Sequence, residues 1–222
     1  MRAISARFPA FLCLATCAIL VSCRSSRQRG TSPGGPSSES LTKTQPFAPG
    51  QQVHFGISVG DVRVLPAHGD DELRLVIHPK HAVPSSEMQS WVRQFDVSGN
   101  QANIQLQPPK GGNVTVTLYV PSSTALNINM DVGNLDVDRV RGDKNISVGV
   151  GNLTLGSLNP DEYGMVSLST GVGNLEDSVF SAQQSGLVGK SENTVGKGKF
   201  QIRAHVGTGN LRLQKGSLTG TD

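Results

Sequence analysis

Two acidic side chains in the second half of the chain have a spacing that could support catalysis. Asp136 and Glu176 each follow the asparagine of a Gly-Asn pair by two residues. If the strands that carry them stack with one further strand between them, Thr154 lies at the equivalent position of that middle strand. Two strand spacings then put the carboxyls about 9.6 Å apart. That separation is marginally within reach of an inverting glycosidase pair. No aromatic sugar platform accompanies it, so we expect these carboxylates to solubilise the surface and the chain not to be an enzyme.

Three further phrases imitate functional motifs. The run Gly186-Leu-Val-Gly189-Lys190-Ser191 matches the final Gly-Lys-Ser of a phosphate-binding loop, but Gln184 stands where the first glycine of that motif is required. The pair His78 and His81 lacks a third ligand nearby, which favours a solvated loop over a metal site. The tripeptide Arg141-Gly142-Asp143 is interpreted as a turn. We therefore expect no metal, no cofactor and no nucleotide.

The N-terminus has the pattern of an export signal. Arg2 and Arg7 precede a mainly apolar run from 8 to 21, which is too short for a comfortable membrane span. The run ends in Leu20-Val21-Ser22-Cys23, which resembles the bacterial lipobox, where a cysteine is acylated before cleavage. The sequence thus predicts a lipoprotein signal peptide over 1–22 and a lipid, such as palmitate, on Cys23.

The resemblance to a lipobox also implies where the protein resides. Arg24, rather than Asp, follows the cysteine, and by the sorting rule of such lipoproteins this implies the outer membrane of a Gram-negative-type envelope. Residues 23–50 are rich in Ser, Gly, Pro and Thr, a composition typical of a disordered spacer. The folded body is predicted over 51–222.

The distribution of charge argues against a nucleic-acid partner. The formal net charge is +3, but the leader and spacer carry this excess. Residues 51–222 contain 14 Lys and Arg against 16 Asp and Glu. A surface that binds phosphates normally concentrates positive charge, and this body does not. The body also contains no cysteine, which excludes disulfides and thiolate sites there.

One short phrase recurs along the body: a Gly-Asn or Gly-Asp pair between alternating apolar residues. This pattern predicts a strand, a sharp bend and a second strand, because glycine accepts positive φ and asparagine tolerates left-handed geometry. Successive copies are separated by 18 residues from Gly133 to Gly151 and by 22 from Gly151 to Gly173. The predicted turn residues are Gly133, Asn134, Gly151, Asn152, Gly173, Asn174, Gly209 and Asn210.

The spacing of the Gly-Asn pairs resembles the length of one solenoid coil and favours an all-β fold, namely a short irregular β-solenoid. The alternative is an antiparallel β-sandwich or meander. In the solenoid the asparagines align as a corner ladder and the flanking aliphatic residues point inward. The inward set is Val132, Leu135, Val137, Val150, Leu153, Leu155, Val172 and Leu175. Met88, Trp91, Val92 and Phe95 have helical spacing, so one amphipathic helix is predicted over 86–95. Ser86 and Gln89 are its expected capping box, and its apolar stripe is expected to cap an open end of the β core.

The body resembles a known family. The run from Val114 to Pro121, followed by Asn127 to Val137 and further Gly-Asn bends, looks like the bacterial β-strand-repeat domains named putative adhesins. The resemblance implies a β-helical envelope domain without catalytic residues. We therefore expect a membrane-tethered, non-catalytic scaffold or adhesion module that contacts an envelope polymer or protein. The alternative is a carbohydrate-active β-helix enzyme that acts on an envelope or extracellular polysaccharide.

Overall fold

The computed structural model describes most of the body of the protein. The predicted signal peptide, Cys23 and the spacer up to residue 39 lie outside the described residues, as do residues 195 and 196. The described ranges are 40–111, 114–180, 183–186, 189–194 and 197–216.

Strands dominate the described residues. They are β1 (Leu41–Pro46), β2 (Gln52–Pro66), β3 (Glu72–Pro79), β4 (Val92–Ser98), β5 (Gln101–Leu106), β6 (Val114–Val120), β7 (Ala125–Asp138), β8 (Lys144–Leu158), β9 (Tyr163–Asp177), β10 (Gln183–Gly186), β11 (Gly189–Thr194) and β12 (Phe200–Lys215). One α-helix, α1 (Ser85–Trp91), and a 3-10 turn, Pro160–Glu162, complete them.

The strands form one large mixed sheet. Along its main path the order is β1-β3-β6-β2-β7-β8-β12-β9-β10. The central five, β2, β7, β8, β12 and β9, pair in parallel with their neighbours. Antiparallel pairs lie outside this centre, where β1 joins β3, β3 joins β6, and β10 and β11 join β9. The prediction of a mostly β protein with one short helix is confirmed, while the repeats are not an antiparallel meander.

The order of the strands departs from the order of the repeats in the chain. β12, the last strand, lies between β8 and β9 and pairs in parallel with both. β7 and β8 are neighbours in chain order, but β8 and β9 are not. The spacing of the glycines predicted that all the repeats stack in chain order, and the position of β12 departs from that prediction.

A glycine bends each of the five central strands near its middle. Gly60, Gly133, Gly151, Gly173 and Gly209 have φ between 138° and 149°, a backbone conformation that side chains disfavour. The five glycines occupy one register across the sheet, so the bends align. Each strand consequently has a first half before its glycine and a second half after it.

The bend shifts the alternation of buried and exposed residues. Met130 is buried before the bend of β7 and Leu135 after it, whereas Val132, directly before the glycine, is 46% exposed. Val150 and Val172 are each 50% exposed at the equivalent position. The prediction that these three valines point inward is wrong, because the bend turns them outward. The other predicted inward residues, Leu135, Val137, Leu153, Leu155 and Leu175, are buried.

Helix α1 is shorter than the sequence predicted. It ends at Trp91, and the chain continues directly into β4, so Phe95 lies on a strand. The predicted capping box does not form, since Pro84 is the N-cap and no side chain caps the helix. Met88 and Trp91 are buried in the apolar core. Among the described residues, no helix has the length and apolar character needed to cross a membrane.

The folded body begins earlier than predicted. β1 lies inside the segment 23–50 that was expected to be disordered, and Phe47 behind it is buried in the core. The strand pairs along its whole length with β3, from Leu41 opposite Ile77 to Pro46 opposite Glu72. Backbone pairing and burial of Phe47 thus order a stretch whose composition alone suggests a linker.

Candidate binding groove

Two rows of outward-facing side chains cross the second halves of the five central strands. Register places one residue of each strand beside its counterpart in the next. The first row, called the corner row, follows the bend directly: Asp61, Asn134, Asn152, Asn210 and Asn174, in spatial order. The second, called the charged row, lies two residues further along each strand: Arg63, Asp136, Thr154, Arg212 and Glu176.

Side-chain amides of the corner row hydrogen-bond to one another. Nδ2 of Asn134 donates to Oδ1 of Asp61, and Nδ2 of Asn152 donates to Oδ1 of Asn134, both at 2.8 Å. Nδ2 of Asn210 donates to Oδ1 of Asn152, also at 2.8 Å. Asn174 joins through its backbone N–H, which donates to Oδ1 of Asn210 at 3.4 Å. Three amide–acceptor bonds in one direction hold neighbouring strands in register.

Asp61 ends this chain of hydrogen bonds. A carboxylate accepts hydrogen bonds and cannot donate them, so it suits the last position of the row. There it accepts from the Asn134 amide, and no further side chain in the row needs a donor from it. Nζ of Lys80 also lies 3.3 Å from the Asp61 carboxylate. Partial burial raises the pKa of Asp61, but the hydrogen bonds from Asn134 and Lys80 outweigh it and lower the pKa overall. The carboxylate is therefore ionised at neutral pH.

The bend glycines form a second ladder behind the corner row. A Cβ on Gly133 would overlap the carbonyl oxygen of Gly60, and one on Gly151 would overlap that of Gly133. The same overlap would arise between Gly209 and the carbonyl of Gly151 and between Gly173 and that of Gly209. Close approach of backbones, as well as positive φ, thus requires glycine at the bends of β7, β8, β12 and β9.

The charged row pairs opposite charges across strands. Nε of Arg212 donates to Oε2 of Glu176 at 2.8 Å. Asp136 lies opposite Arg63 on one side and Thr154 on the other. Burial and the nearby charge of Asp138 raise the pKa of Asp136, and Arg63 opposes that rise. Two cations and two anions leave the row without net charge.

The spacing proposed for a catalytic carboxylate pair is not met. Because β12 separates β8 from β9, Asp136 and Glu176 lie three strand spacings apart, which is about 14 Å. Inverting glycosidases place their carboxyls roughly 6.5–9.5 Å apart. In addition, Arg212 lies between the two positions and forms an ion pair with Glu176. The expectation that only Thr154 stands between them is wrong.

The space between the two rows is a shallow groove. One depression of about 370 Å³ is lined by side chains from β8, β12 and β9, including Asn210 and Arg212. A second, of about 540 Å³, is lined from β2, β6, β7 and β8, including Asp61 and Asp136. Asn152 and Thr154 line both depressions. The two depressions thus adjoin at β8, and together they are called the polar groove.

The other sequence candidates lie apart from this groove. Arg141 forms an ion pair with Glu162, and the Asp143 carboxylate accepts a hydrogen bond from the backbone of Gln201. The residues from Gly189 onward, which imitate a phosphate-binding loop, form strand β11 against β9. Within the described ranges, His, Cys, Asp and Glu do not cluster in a way that could hold a metal ion.

Sequence analysis missed a buried lysine. Lys144 is 2% exposed, and its Nζ donates to the Tyr163 hydroxyl at 2.6 Å and to the Gly142 carbonyl at 3.1 Å. Burial lowers the pKa of Lys144 to about 7, and the charges of Glu162 and Asp143 only partly offset it. The alternation of residues along β8 could have predicted this burial, because Lys144 has the same inward-facing parity as Ile146 and Val148.

A second unexpected contact lies on the first halves of the strands. Oγ of Ser169 is 2.8 Å from Nδ1 of His205 on the exposed face. Register explains this contact, because Ser169 and His205 are direct neighbours on β9 and β12. The sequence could not pair them, since the insertion of β12 beside β9 is not encoded locally.

Comparison with known proteins gives structural neighbours at low identity. No family model matches the chain, and no curated protein is significantly similar to it in sequence. A solved putative cell adhesion protein from Clostridium sporogenes is 12% identical, with a TM-score of 0.46, over 80% of this chain and 100% of the other. A putative adhesin from Bacteroides fragilis is 13% identical, with a TM-score of 0.35, over 80% and 98%. The structural neighbours are thus bacterial putative adhesins, as the sequence resemblance indicated.

A structure of a different description is also similar. It is a putative lipid binding protein from Parabacteroides distasonis, 8% identical, with a TM-score of 0.24, over 80% of this chain and 95% of the other.

Proposed function

We propose that the chain is an envelope lipoprotein whose β-repeat body is a non-catalytic binding module, with the polar groove as its binding surface. The lipid on Cys23 tethers it to a membrane, in keeping with the lipobox-like Leu20-Val21-Ser22-Cys23, and the outer membrane is the proposed location. Its partner is a polymer or protein of the envelope. The observation that carries the proposal is the groove, built on five parallel strands in one register.

Rigidity of the groove supports a binding role. Binding is weakened by the entropy lost when flexible side chains are ordered, so a surface ordered before binding loses less. Asn134, Asn152 and Asn210 are already fixed by hydrogen bonds between their amides. Directly behind them, the backbones of the glycine ladder approach one another so closely that no Cβ fits between them. The groove is thus pre-organised on strands rather than on loops.

The path of the chain supports a solenoid as the form of this scaffold. Parallel strands normally need a crossover of a dozen or more residues. β7 ends at Asp138 and β8 begins at Lys144, so only residues 139–143 connect these two parallel neighbours. The bends at Gly133 and Gly151 offer the explanation, because a strand bent at its middle carries the chain partway back towards its start. We propose that β7 and β8 form successive coils of a short solenoid.

The arrangement of the charged row supports a non-catalytic role. A general acid must hold a proton at the operating pH, and a base must be free to accept one. Glu176 is already paired with Arg212, and Asp136 lies about 14 Å from it by three strand spacings. This geometry suits recognition of a ligand rather than concerted proton transfer between the two carboxyls.

The binding role is tested with envelope material from the bacterium that produces the protein. Protein made as the Cys23→Ala variant, which avoids membrane attachment by the lipid, is incubated with washed envelopes and sedimented. A Thr154→Tyr substitution places a ring at the centre of the groove, where both depressions meet. We expect it to reduce the bound fraction about tenfold. Ser147→Tyr, on the first half of the same strand, is the matched control and should bind like the parent.

Two results would contradict the proposal. One is that the parent remains in the supernatant, and the other is that Thr154→Tyr and Ser147→Tyr bind equally well. A separate assay addresses catalysis: turnover of an envelope glycan by the parent that disappears in the Asp136→Asn, Glu176→Gln double variant would establish an enzyme instead.

A further inference from the structure

We infer that the groove takes a neutral, hydroxyl-rich glycan chain that lies across the strands, along the corner row. This inference rests on the proposed binding function and names the chemical class of the partner. It starts from the hydrogen-bonding capacity that the corner row retains. Each primary amide has two N–H donors, and Asn134, Asn152 and Asn210 each use one of them within the row. One donor per strand is therefore left for a ligand.

The spacing of these donors suits a repeating polymer. Neighbouring strands lie about 4.8 Å apart, so equivalent amides recur at that interval across β7, β8 and β12. This interval is close to the length of one sugar residue in an extended glycan. Successive sugars could thus meet the same amide environment at each strand. A compact small molecule would use only one or two of these positions.

The opposite wall of the groove offers both acceptors and donors. Asp136 and Glu176 accept hydrogen bonds, whereas Arg63 and Arg212 only donate them. A sugar hydroxyl does both, and bonds to charged groups are the stronger kind. Thr154, at the centre, can also donate and accept. The wall therefore matches a ligand that carries hydroxyls along its whole length.

The balance of charge favours a neutral polymer over a charged one. The two guanidinium groups of the charged row face two carboxylates, and Asp61 at the end of the corner row is paired with Lys80. Along the charged row a polyanion would meet carboxylates on two of the five strands, and a polycation would meet guanidinium groups on two others. Like charges in contact oppose binding and so disfavour such partners.

The groove is less suited to a peptide or a protein. An extended peptide gains affinity by adding to a sheet edge, where backbone groups are unpaired. This groove crosses the face of the sheet, where the backbones of β7, β8 and β12 already pair with one another. Protein interfaces also have an apolar centre. Here the central outward residues are Asn152 and Thr154, both polar.

The test is binding of defined polysaccharides to the full chain in detergent solution. The probes are a neutral linear glucan, acidic polygalacturonate and cationic chitosan, and affinity is measured by calorimetry and affinity electrophoresis. We expect the neutral glucan to bind and the charged probes not to bind. Asn152→Ala and Thr154→Val should each weaken binding several-fold, and together about tenfold, as expected for the loss of hydrogen bonds. Ser147→Ala on the same strand is the control, and thermal unfolding of each variant shows that it folds.

The outcomes separate this inference from the proposed function. The glycan inference would be overturned if polygalacturonate or chitosan competes for the retained envelope material, or if protease treatment of that material abolishes its retention. The binding module would remain in place after either result. Failure of all three probes to compete for retained envelope material would also overturn it. If no envelope material is retained by the parent, both proposals fail. The supporting result is that the neutral glucan competes for the retained envelope material. Thr154→Val should weaken this competition, and Ser147→Ala should leave it unchanged.

Discussion

Nζ of Lys144 donates a 2.6 Å hydrogen bond to the Tyr163 hydroxyl in the interior of the protein. Lys144 occupies a place in a row of core residues, with Leu126 and Ile202 as its direct neighbours on β7 and β12. Its ammonium group loses hydration there, and desolvation disfavours the charged form. This explains why its pKa falls to about 7, and it links protonation of the side chain to the stability of the fold.

We predict that stability rises with pH because of Lys144. The pKa of Lys144 is about 7 in the folded state, whereas a solvated lysine has an ordinary pKa of 10.5, so between these limits the unfolded chain binds more protons. The free energy of unfolding should therefore increase by about 2 kcal/mol from pH 7 to pH 9. Lys144→Met should remove this increase, and urea denaturation at several pH values measures it.

The exposed Lys215 provides a matched control for this experiment. Lys215→Met removes the same functional group from the surface and should retain the slope of the parent. Measurements stay below about pH 9.5, because burial raises the pKa of Tyr163. As the pH rises through about 10, the unfolded chain loses this hydroxyl proton while the folded chain keeps it, and stability then falls. A parent whose stability does not change between pH 7 and pH 9 would contradict the prediction.

The glycine ladder gives a second prediction. Gly151→Ala should destabilise the protein by about 4 kcal/mol, since the residue has φ of 144° and its new Cβ would overlap the Gly133 carbonyl. Gly50→Ala separates the two causes, because Gly50 also has positive φ but no atom lies within 4 Å of its Cβ position. That variant should lose only about 1 kcal/mol. Equal urea midpoints for the two variants would show that backbone contact does not matter.

Local signals explain why much of the sheet could be predicted from sequence. A Gly-Asn pair between alternating apolar residues has few structural solutions, and it identified the bends of β7, β8, β9 and β12. The same alternation identified Leu135, Leu153 and Leu175 as core residues, and they are buried. It misplaced Val132, because at a bend the rule of two-residue alternation no longer holds.

Long-range pairing explains why the rest of the site could not be predicted. Nothing near Asn210 or Arg212 in the sequence indicates that β12 inserts between β8 and β9. That insertion separates Asp136 from Glu176 and joins Glu176 to Arg212. Such information is distributed over the whole chain rather than contained in a motif.

The hydrogen bond from Asn134 to Asp61 gives a third prediction. Asn134→Asp replaces the donor by a carboxylate opposite Asp61, so like charges face each other. We expect a loss of about 2 kcal/mol at pH 7, reduced at pH 4 as carboxylates take up protons. The second substitution Asp61→Asn should rescue Asn134→Asp, because the amide at position 61 can then donate to the new carboxylate. Thermal unfolding of the two single variants and the double variant completes a cycle, and additive losses would refute pairing of the two side chains.

The lipid anchor gives the last prediction, which concerns Cys23. Acyl chains on this residue would contribute roughly 0.8 kcal/mol for each buried methylene, enough to make attachment effectively permanent. Cys23→Ala should therefore move the protein from the detergent phase to the aqueous phase in a detergent partition of whole cells, and it should abolish labelling with a palmitate analogue. Cys17→Ala changes a cysteine that precedes the lipobox-like segment and should partition and label like the parent. If the Cys23 variant stays in the detergent phase, the apolar run from 8 to 21 rather than a lipid holds the protein at the membrane.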